Sequence, residues 1–483
     1  MAINPAVDWL KRRRTKLVAT LGPSSDSAPV ISELIAAGVN VFRLNMSHGT
    51  HEVHAQTIAN IKAQARARGT TISILADLAG PKIRVGNFEG GRITLNEGET
   101  VTITMADELG RPGVIPSQYA ALAQDVRPGD RVLLADGAME LKVESIEGER
   151  VTCAVVQGGE LSDRKGINLP GVDVSAPCLT EKDKADAKFL LSHGIDFFGL
   201  SFVRRAQDID ELRAIIDASA ADAGIIAKIE RPEALEASEG IIDAADGLMV
   251  ARGDLGVELP PEQVPIAQHE LIARARLCNK PVIVATQMLE SMMDNPRPTR
   301  AEVSDVAHAV MSGTDAVMLS GETAAGNYPV QAVAMMNRIA RQAEAYQWTQ
   351  GAFAGISMAG VTDNDANFGD AIANAVAQIS RELQVRAIIT ISRGGMSAAT
   401  MSAARPAAPV LALSPHADSC RRMNLMWGLV PMLVEEADLA DGVSLARQMA
   451  RDSGLAEEGE FILLVRGFAS EPRQAAPSIT VLR

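Results

Sequence analysis

Eight short apolar segments alternate with helical patterns along this chain, and that alternation constrains its fold more than any other feature. The segments occupy residues 15–22, 40–47, 71–77, 195–202, 224–230, 247–253, 281–287 and 316–322. Each is almost continuously apolar, as is typical of parallel strands buried on both faces. Eight successive β–α units predict a (β/α)8 barrel, an α/β fold whose active site lies at the carboxyl ends of the strands.

The interval between the third and fourth segments is too long for a single connecting helix. Residues 86–172 hold short alternating patterns, such as RITLNEGETVTITM and RVTCAVVQGG, separated by Gly-rich turns. They predict an inserted all-β domain, a β-barrel placed to act as a lid because it leaves and re-enters at the catalytic face. The barrel domain then comprises residues 1–85 and 173–348. Another α/β pattern predicts a C-terminal domain with an open sheet over residues 349–483.

The helices between the strands have readable ends. TEKDKADAKFLLSHG predicts a helix that begins with a capping box of Thr180 and Asp183 and ends at Gly194. Two earlier helical patterns end in the same way, at Gly38 and Gly69.

Composition and charge exclude several classes of function. The 483 residues carry a formal net charge of −14, which argues against nucleic-acid binding, so an anionic substrate would need local cations or metal ions. With no apolar run of about 18 residues and no apolar leader, we expect neither a membrane span nor a secretory signal. The four cysteines show no zinc or C-x-x-C spacing, which predicts reduced core residues and a cytoplasmic location.

Polar residues gather at the ends of the apolar segments. In the second segment, alternation places Arg43, Asn45 and Ser47 on one face, and in the fifth Lys228 and Glu230 share a face. The other segments end at or near polar residues as well: Asp77, Asp254, Thr286, Ser320 and Glu322. A barrel would bring all of these ends around one mouth.

The residue types at this mouth indicate phosphoryl chemistry. Two carboxylates from neighbouring strands, Glu230 and Asp254, without histidine, suit a hard ion such as Mg²⁺ better than zinc. Arg43 and Lys228 opposite a metal would form a clamp for a transferring phosphoryl group. In isolation, Lys228 and Glu230 would equally suit a structural ion pair, and strand-end hydroxyls usually bond to backbone. Their combination favours the catalytic interpretation.

The motifs that carry this chemistry resemble those of the pyruvate kinase family, over nearly the whole chain. They are TKLVATLGPSS, VNVFRLNMSHG, GPKIRVG, RKGINLPG, AKIERPEAL, DGLMVARGDLGVELP, ATQMLESMMDNPRPTRAEVSDVAHAV and DAVMLSGETAAGNYP. The resemblance implies transfer of the phosphoryl group from phosphoenolpyruvate to ADP, giving pyruvate and ATP, with Mg²⁺ or Mn²⁺ as the divalent ion. It also implies a homotetramer.

On the phosphoenolpyruvate side, the resemblance assigns a role to each matching residue. Glu230 and Asp254 would hold the divalent ion, and the amides of Gly253 and Asp254 would face the substrate carboxylate. Lys228 would stabilise the transferring phosphoryl group and the enolate, and Arg43 would hold the phosphate from the other side.

Three further sets of residues match the family. Thr286 and Ser320 lie on the path of the proton to the methylene carbon, and which of them relays it stays open. Asp136 matches a residue of the lid that meets the site on closure. The resemblance implies nucleotide binding by Pro23, Asn45, His48, Arg84 and Lys165.

Lys82 departs from most of the family. There a monovalent cation binds at positions matching Asn45, Ser47, Asp77 and the residue that follows, and a glutamate stands where this chain has Lys82. The chain reads DLAGPK, similar to a smaller branch that carries lysine here. A lysine ammonium can supply the positive charge that potassium otherwise supplies, so we predict that potassium is not required. The alternative is a solvated lysine beside a potassium site.

The C-terminal domain contains one candidate for regulation. Ser392, Arg393, Gly395 and Ser397 lie where a strand enters a helix, and resemble the effector-phosphate loop of regulated pyruvate kinases. Arg466 or Arg473 would assist. An ordinary turn explains the pattern as well, and the identity of a phosphorylated effector is open.

Two other functions fit part of the pattern. A metal-dependent lyase or aldolase acting on a pyruvate enolate needs the metal pair but not the cations. A catalytically silent effector-binding protein would lack Lys228, Glu230 or Asp254, and all three are present.

Overall fold

A computed structural model describes residues 13–219, 221–350, 368–467 and 476–483. Eight parallel strands close into a barrel in which each strand pairs with its neighbours in chain order, and the predicted (β/α)8 barrel is confirmed. From first to eighth, the barrel strands are Lys16–Thr20, Val41–Asn45, Ser73–Asp77, Phe197–Leu200, Gly224–Ile229, Gly247–Ala251, Val282–Ala285 and Ala316–Leu319.

Helices surround the barrel and connect its strands. They are Ala28–Ala37, His51–Ala67, Glu181–Ser192, Ala206–Asp217, Pro232–Glu236, Ser238–Ala244, Arg252–Glu258, Val264–Leu277, Arg300–Met311, Gly321–Ala324 and Pro329–Thr349, with 3-10 turns at Pro261–Gln263 and Glu290–Met293. The predicted capping box is present, since the Thr180 hydroxyl accepts from the amide of Asp183 and the Asp183 carboxylate accepts from the amide of Thr180. Gly38, Gly69 and Gly194 follow their helices with positive φ, as expected of C-terminal caps.

The inserted segment forms two antiparallel-rich sheets. The six-stranded sheet has the order Ile167–Asn168, Arg131–Leu134, Met139–Glu147, Arg150–Gln157, Thr100–Thr104, Val114–Pro116, and the two-stranded sheet pairs Gly159–Ser162 with Arg92–Leu95. The sequence predicts a single β-barrel for this segment, whereas its strands pair as two sheets that share one apolar core. Helical turns occur at Glu89–Gly91 and Leu122–Asp125.

The chain enters and leaves the insert side by side. The amide of Val85 donates to the carbonyl of Lys165 at 2.9 Å, and the amide of Ile167 donates to the carbonyl of Ile83 at 3.0 Å. This pair of segments joins the insert to the end of the third strand, at the carboxyl end of the barrel.

The C-terminal domain is the predicted open sheet with helices. Its strand order is Leu429–Leu433, Val410–Ser414, Ala387–Ile391, Ile462–Arg466, Ser478–Leu482, with only the last strand antiparallel. The helices are Phe368–Glu382, Met396–Ala403, Ala417–Met423 and Gly442–Asp452, with a 3-10 turn at Glu436–Asp441.

This domain closes the amino-terminal end of the barrel. Leu425 is 1 % exposed and packs into the apolar cluster inside the barrel, together with Val18 and Ile226. Buried Arg405 binds Asp315 at 3.0 Å, just before the eighth strand, and Arg421 binds Asp196 at 2.7 Å, just before the fourth. The opposite, carboxyl end of the barrel is left for the site.

Within the described ranges, none of the helices combines the length and apolar character needed to traverse a bilayer. Cys153, Cys178 and Cys420 are buried, as expected of core residues, whereas Cys278 is exposed, and none of the four forms a disulfide.

Candidate active site

The centre of the site is a buried carboxylate between two cations. Asp77, 2 % exposed, ends the third strand, and its Oδ2 accepts from Arg43 Nε at 2.7 Å. Its Oδ1 lies 3.2 Å from Lys228 Nζ. Burial alone would raise the pKa of Asp77, but the Lys228 ammonium and the Arg43 guanidinium hold it below its ordinary value. The carboxylate therefore stays charged and fixes both cations at the mouth.

Lys228 also binds the second buried carboxylate. Its Nζ lies 2.8 Å from Glu230 Oε1 and donates to Ser201 Oγ at 2.6 Å. Burial opposes the charge of Lys228, yet Asp77 and Glu230 raise its pKa above the ordinary value. The raised pKa keeps the ammonium protonated at neutral pH, so it offers a positive charge at the mouth of the barrel.

Glu230 and Asp254 are two carboxylates whose negative charges repel each other. Glu230 is 1 % exposed, and its Oε2 accepts from the amide of Phe202 at 2.8 Å. Burial raises the pKa of Glu230; Lys228 opposes this shift and the negative charge of Asp254 adds to it. Asp254 is half-buried in the first turn of helix Arg252–Glu258.

This donor set fits a divalent ion. In the described part of the chain no three His, Cys, Asp or Glu side chains form a closed metal cage. Mg²⁺ is usually bound by one or two carboxylates, with water and substrate oxygens as its other ligands. A cation between Glu230 and Asp254 would offset the burial of the Glu230 carboxylate and relieve its repulsion by Asp254, the two effects that raise the pKa of Glu230.

Thr286 occupies a strained turn after the seventh strand. Its φ is +72°, followed by +53° at Gln287, and such conformations of non-glycine residues cluster at functional sites. Its Oγ1 accepts from the amide of Gly253 at 2.7 Å and donates to the carbonyl of Ala285 at 2.6 Å. The amide of Gly253, expected to face a substrate carboxylate, is thus engaged by Thr286, whose hydroxyl would have to turn away on binding.

Two residues that sequence reasoning missed hold this turn. Arg252 donates to the carbonyl of Thr286 at 2.7 Å and forms a two-pronged pair with Asp305, at 2.6 and 2.7 Å. Arg252 directly precedes Gly253 in ARGDLG, and its residue type is visible in the sequence. Its partner, however, lies 53 residues away on helix Arg300–Met311.

Ser320 is held by the carboxylate two residues further on. Its amide donates to Glu322 Oε2 at 2.7 Å, while Oε1 of the same side chain accepts from the amide of Leu289 at 3.0 Å. Glu322 thus joins the turns that follow the seventh and eighth strands. Burial raises its pKa.

Two hydroxyls complete the cation cluster, and sequence reasoning gave them no role. Ser201 receives the Lys228 hydrogen bond and donates to the carbonyl of Leu78 at 2.7 Å. Thr20 Oγ1 accepts from Arg43 at 3.0 Å and donates to the carbonyl of Leu319 at 2.9 Å. Both lie at the ends of apolar segments, and that position is the sequence signal that identifies them.

The residues matched to nucleotide binding lie on the rim. Asn45 is half-buried and Oδ1 of its side chain accepts from the amide of Ser47 at 3.1 Å, whereas His48 and Pro23 are exposed. Arg84 donates to the carbonyl of Arg164 at 2.9 Å, which brings it next to Lys165 at the base of the insert.

A cleft of about 870 Å³ lies between the insert and the barrel. Lys82 and Asp136 line it from the insert side, and Gly253 and Asp254 line it from the barrel. Lys82 is exposed at the tip of the loop after the third strand, and Asp136 is exposed in a turn with φ of +56°. The structure therefore places Lys82 at the cleft, while Asp77 is bound by Arg43 and Lys228.

The candidate effector loop is ordered by internal contacts. Buried Ser392 accepts from the amide of Ala398 at 3.2 Å, and Gly395, with φ of +96°, precedes helix Met396–Ala403. Exposed Arg393 forms an ion pair with Glu436 at 2.5 Å. Buried Ser397 is the second residue of this helix, Arg466 ends a neighbouring strand, and Arg473 lies outside the described residues.

Comparisons with known proteins agree on one family. Residues 12–333 match the family model described as pyruvate kinase, barrel domain, and residues 370–482 match pyruvate kinase, alpha/beta domain. A pyruvate kinase of Geobacillus stearothermophilus is 45 % identical over 462 residues, covering 94 % of this chain and 78 % of its own. Pyruvate kinase 2 of Synechocystis is 43 % identical over 460 residues, covering 94 % and 76 %. The crystal structure of a pyruvate kinase from Cryptosporidium parvum aligns with a TM-score of 0.90 at 34 % identity, covering 99 % of this chain and 98 % of that one.

Proposed function

The chain belongs to the pyruvate kinase family, phosphotransferases that act on phosphoenolpyruvate and ADP, and we propose that the cluster of Arg43, Asp77, Lys228 and Glu230 is its reaction centre. The observation that carries this proposal is the pair of cations held by one buried carboxylate at the carboxyl end of the barrel. The alternative functions, a lyase and a silent effector-binding protein, are not favoured, because both cations and both carboxylates are in place.

In this proposal Arg43 and Lys228 receive the phosphoryl group from two sides. Asp77 binds both cations and holds them at fixed positions, so little reorganisation is needed when negative charge develops. Lys228 would also face the enolate oxygen. Thr286 and Ser320 lie on the turns after the seventh and eighth strands, where a water bound by either hydroxyl would pass a proton to the methylene carbon.

Glu230 and Asp254 are proposed to hold the divalent ion, Mg²⁺ or Mn²⁺. When bound, the ion neutralises negative charge on the substrate and polarises its oxygens. Glu230 is fixed for this by the amide of Phe202 and by Lys228. Asp254 is placed by its position in the first turn of a helix.

The role of Asp254 has a direct test. Asp254→Asn removes one of two metal carboxylates, so the concentration of Mg²⁺ that half-saturates activity should rise about tenfold or more. Mn²⁺ binding measured by electron paramagnetic resonance should weaken in parallel. Glu262→Gln, a change at an exposed carboxylate of the neighbouring segment, should alter neither. Unchanged Mn²⁺ affinity in Asp254→Asn would refute the assignment.

Nucleotide binding is proposed for the rim between the second strand and the insert. Pro23, Asn45 and His48 would contact ADP from the barrel, and Arg84 and Lys165 from the base of the insert. The closeness of the last two supports this assignment. Asp136 would approach when the insert closes over the cleft that it lines.

Lys82 is proposed to replace the monovalent cation that most of the family binds. Three groups that would coordinate such an ion are engaged internally: Asn45 Oδ1 by the amide of Ser47, the Asp77 carboxylate by Arg43 and Lys228, and the carbonyl of Leu78 by Ser201. Lys82 lines the cleft between the insert and the barrel.

A phosphorylated effector is proposed to bind at Ser392, Arg393, Gly395 and Ser397. The Arg393–Glu436 ion pair supports this proposal. Both side chains are more than half exposed and such pairs are weak, so the Arg393 guanidinium can exchange Glu436 for another anion. A phosphate would compete with Glu436 for the guanidinium.

The effector loop can be tested by titrating AMP and glucose 6-phosphate at subsaturating phosphoenolpyruvate. We expect Arg393→Gln to raise the half-activating concentration of the effective compound about fivefold, as loss of a charge-assisted hydrogen bond would. Glu436→Gln should lower it, and activity without effector should stay the same in both variants. Equal activation of the two variants would show that the loop is an ordinary turn.

Assembly and location are proposals of the same kind. A homotetramer rests on the resemblance to the family. A cytoplasmic location rests on four cysteines that form no disulfide, three of them buried.

A further inference from the structure

We propose that Lys182 and Asp186, on helix Glu181–Ser192, position the loop that follows the second barrel strand and thereby set the affinity for ADP. This inference rests on the proposed nucleotide role of Asn45 and His48. It adds two positioning residues that touch no substrate and lie on an element far along the chain from the loop that they hold.

Lys182 fixes the beginning of the loop. Its Nζ donates to the carbonyl of Met46 at 2.8 Å and lies 2.6 Å from Asp186 Oδ2. Met46 is buried and directly follows Asn45, so this bond sets the path of the chain where the strand ends. Asp186 is 3 % exposed, and its charge is matched by the ammonium that it holds.

The end of the same loop is attached to the same carboxylate. Asp186 Oδ1 lies 2.8 Å from His51 Nε2, and His51 begins the next helix. The His51 ring stacks on Phe189, with ring centroids 4.1 Å apart and planes 2° from parallel. Asp186 therefore holds His51 directly through Oδ1 and Met46 through Lys182, which Oδ2 binds. Together these contacts fix the separation of residues 46 and 51.

Between these two anchors the loop presents its side chains outward. Ser47 and His48 are exposed, and the carbonyl of His48 lies 2.8 Å from His54 Nε2, which holds the backbone in place. Gly49, with φ of +80°, turns the chain where an added Cβ would lie 3.2 Å from that imidazole. The geometry thus leaves the His48 side chain free for a ligand while its backbone is fixed.

The same helix turn also holds the loop after the third strand. Asp183 Oδ1 accepts from the amide of Gly80 at 3.3 Å, while Oδ2 accepts from the amide of Thr180 in the capping box. Gly80 lies two residues before Lys82. One helical turn therefore contacts both loops that carry the proposed nucleotide-side residues.

The contacts of Lys182 do more than stabilise the helix on which it lies. The capping box already satisfies the first turn, and the bond from Lys182 to Met46 crosses to another element. The Lys182 side chain is 60 % exposed, so its removal should disturb the loop rather than the core.

The test compares Lys182→Met with Lys184→Met. Lys184 lies two residues away on the same helix and pairs with Glu181 and Glu211, away from the loop. We expect Lys182→Met to raise the KM and Kd for MgADP about fivefold, with kcat and the phosphoenolpyruvate KM within about twofold, because a displaced loop acts on one ligand. Lys184→Met should change none of these quantities, and a matching rise there would overturn the inference.

A double-mutant cycle with His48→Ala separates this inference from the proposed function on which it rests. If Lys182 acts through the loop, the effects of Lys182→Met and His48→Ala on the MgADP Kd will be less than additive. If His48→Ala leaves the Kd unchanged, the nucleotide role of His48 is wrong. If His48→Ala weakens binding and Lys182→Met does not, the role of His48 stands and the positioning role of Lys182 is wrong.

Discussion

Lys228→Met should lower kcat by about a thousandfold or more, because removal of a single preorganised group that stabilises transition-state charge costs about that much in other enzymes. The ammonium of Lys228 lies 3.2 Å from Asp77 and 2.8 Å from Glu230, and its pKa is raised, so it is a fixed positive charge in a largely buried site. Methionine keeps the aliphatic volume and removes only the charge. The loss should therefore appear in kcat rather than in the KM for ADP.

The measurement is steady-state pyruvate formation, with Mn²⁺ binding as a second reading. Mn²⁺ should still bind to Lys228→Met, since Glu230 and Asp254 remain. Ser201→Ala is the matched control: it removes the 2.6 Å hydrogen bond from the ammonium but leaves the charge, so kcat should fall only about tenfold. A Lys228→Met enzyme with kcat within tenfold of the original would contradict the assignment of Lys228 to the reaction centre.

The same substitution would also weaken the fold. Asp77 and Glu230 are both buried, and loss of their shared cation leaves negative charge in a medium of low polarity. Thermal unfolding of the variant should therefore be recorded beside its kinetics, so that a fall in kcat is compared at a temperature where the protein is folded.

The barrel and much of its site were predictable because both depend on local patterns. Eight continuous apolar segments specify eight buried strands, and alternation along a strand specifies which side chains share a face. Arg43 and Asn45 were assigned to one face in this way, as were Lys228 and Glu230. A barrel collects its strand ends at one mouth, so the residue types there were enough to indicate phosphoryl chemistry.

What escaped prediction depends on partners distant in the chain. Arg252 holds the turn of Thr286 only because Asp305 reaches it from a helix 53 residues away. Lys182 and Asp186 hold residues 46 and 51 from a helix that begins after the insert. Such pairs cannot be predicted from local sequence patterns, because their members lie far apart in the chain. The division of the insert into two sheets likewise depends on which strands pair, whereas turn signals give only where strands end.

The charges of the proposed reaction centre would allow a protein with a net charge of −14 to bind anionic substrates. Two cations, Arg43 and Lys228, stand among three carboxylates, Asp77, Glu230 and Asp254, so these five side chains alone sum to one negative charge. A divalent ion would make the sum positive by one. On this reasoning metal and phosphoenolpyruvate should bind cooperatively, because the substrate adds the negative charge that the loaded site lacks.

Lys82 is proposed to supply positive charge on the nucleotide side of the site. Its replacement should therefore change the requirement of the enzyme for a monovalent cation. We expect the original protein to reach full turnover in Tris buffer free of potassium, with KCl adding less than about twofold. Lys82→Glu reverses the charge at the cleft, and at an effective dielectric constant near 20 such a change is worth a few kcal/mol at a separation of several ångströms. Without potassium its kcat/KM should therefore fall about a hundredfold, and KCl should restore most of the loss.

Two controls decide whether this is a site-specific effect. Tetramethylammonium chloride at the same ionic strength screens charge but is too large to replace potassium, so it should not rescue Lys82→Glu. Lys82→Met removes the cation without supplying a carboxylate to bind potassium, so its activity should fall and KCl should restore little. If the original protein needs potassium, or if tetramethylammonium rescues Lys82→Glu as well as potassium does, then Lys82 is a solvated loop residue. The family's monovalent site would in that case persist at Asn45 and Asp77, despite the internal hydrogen bonds that now engage them.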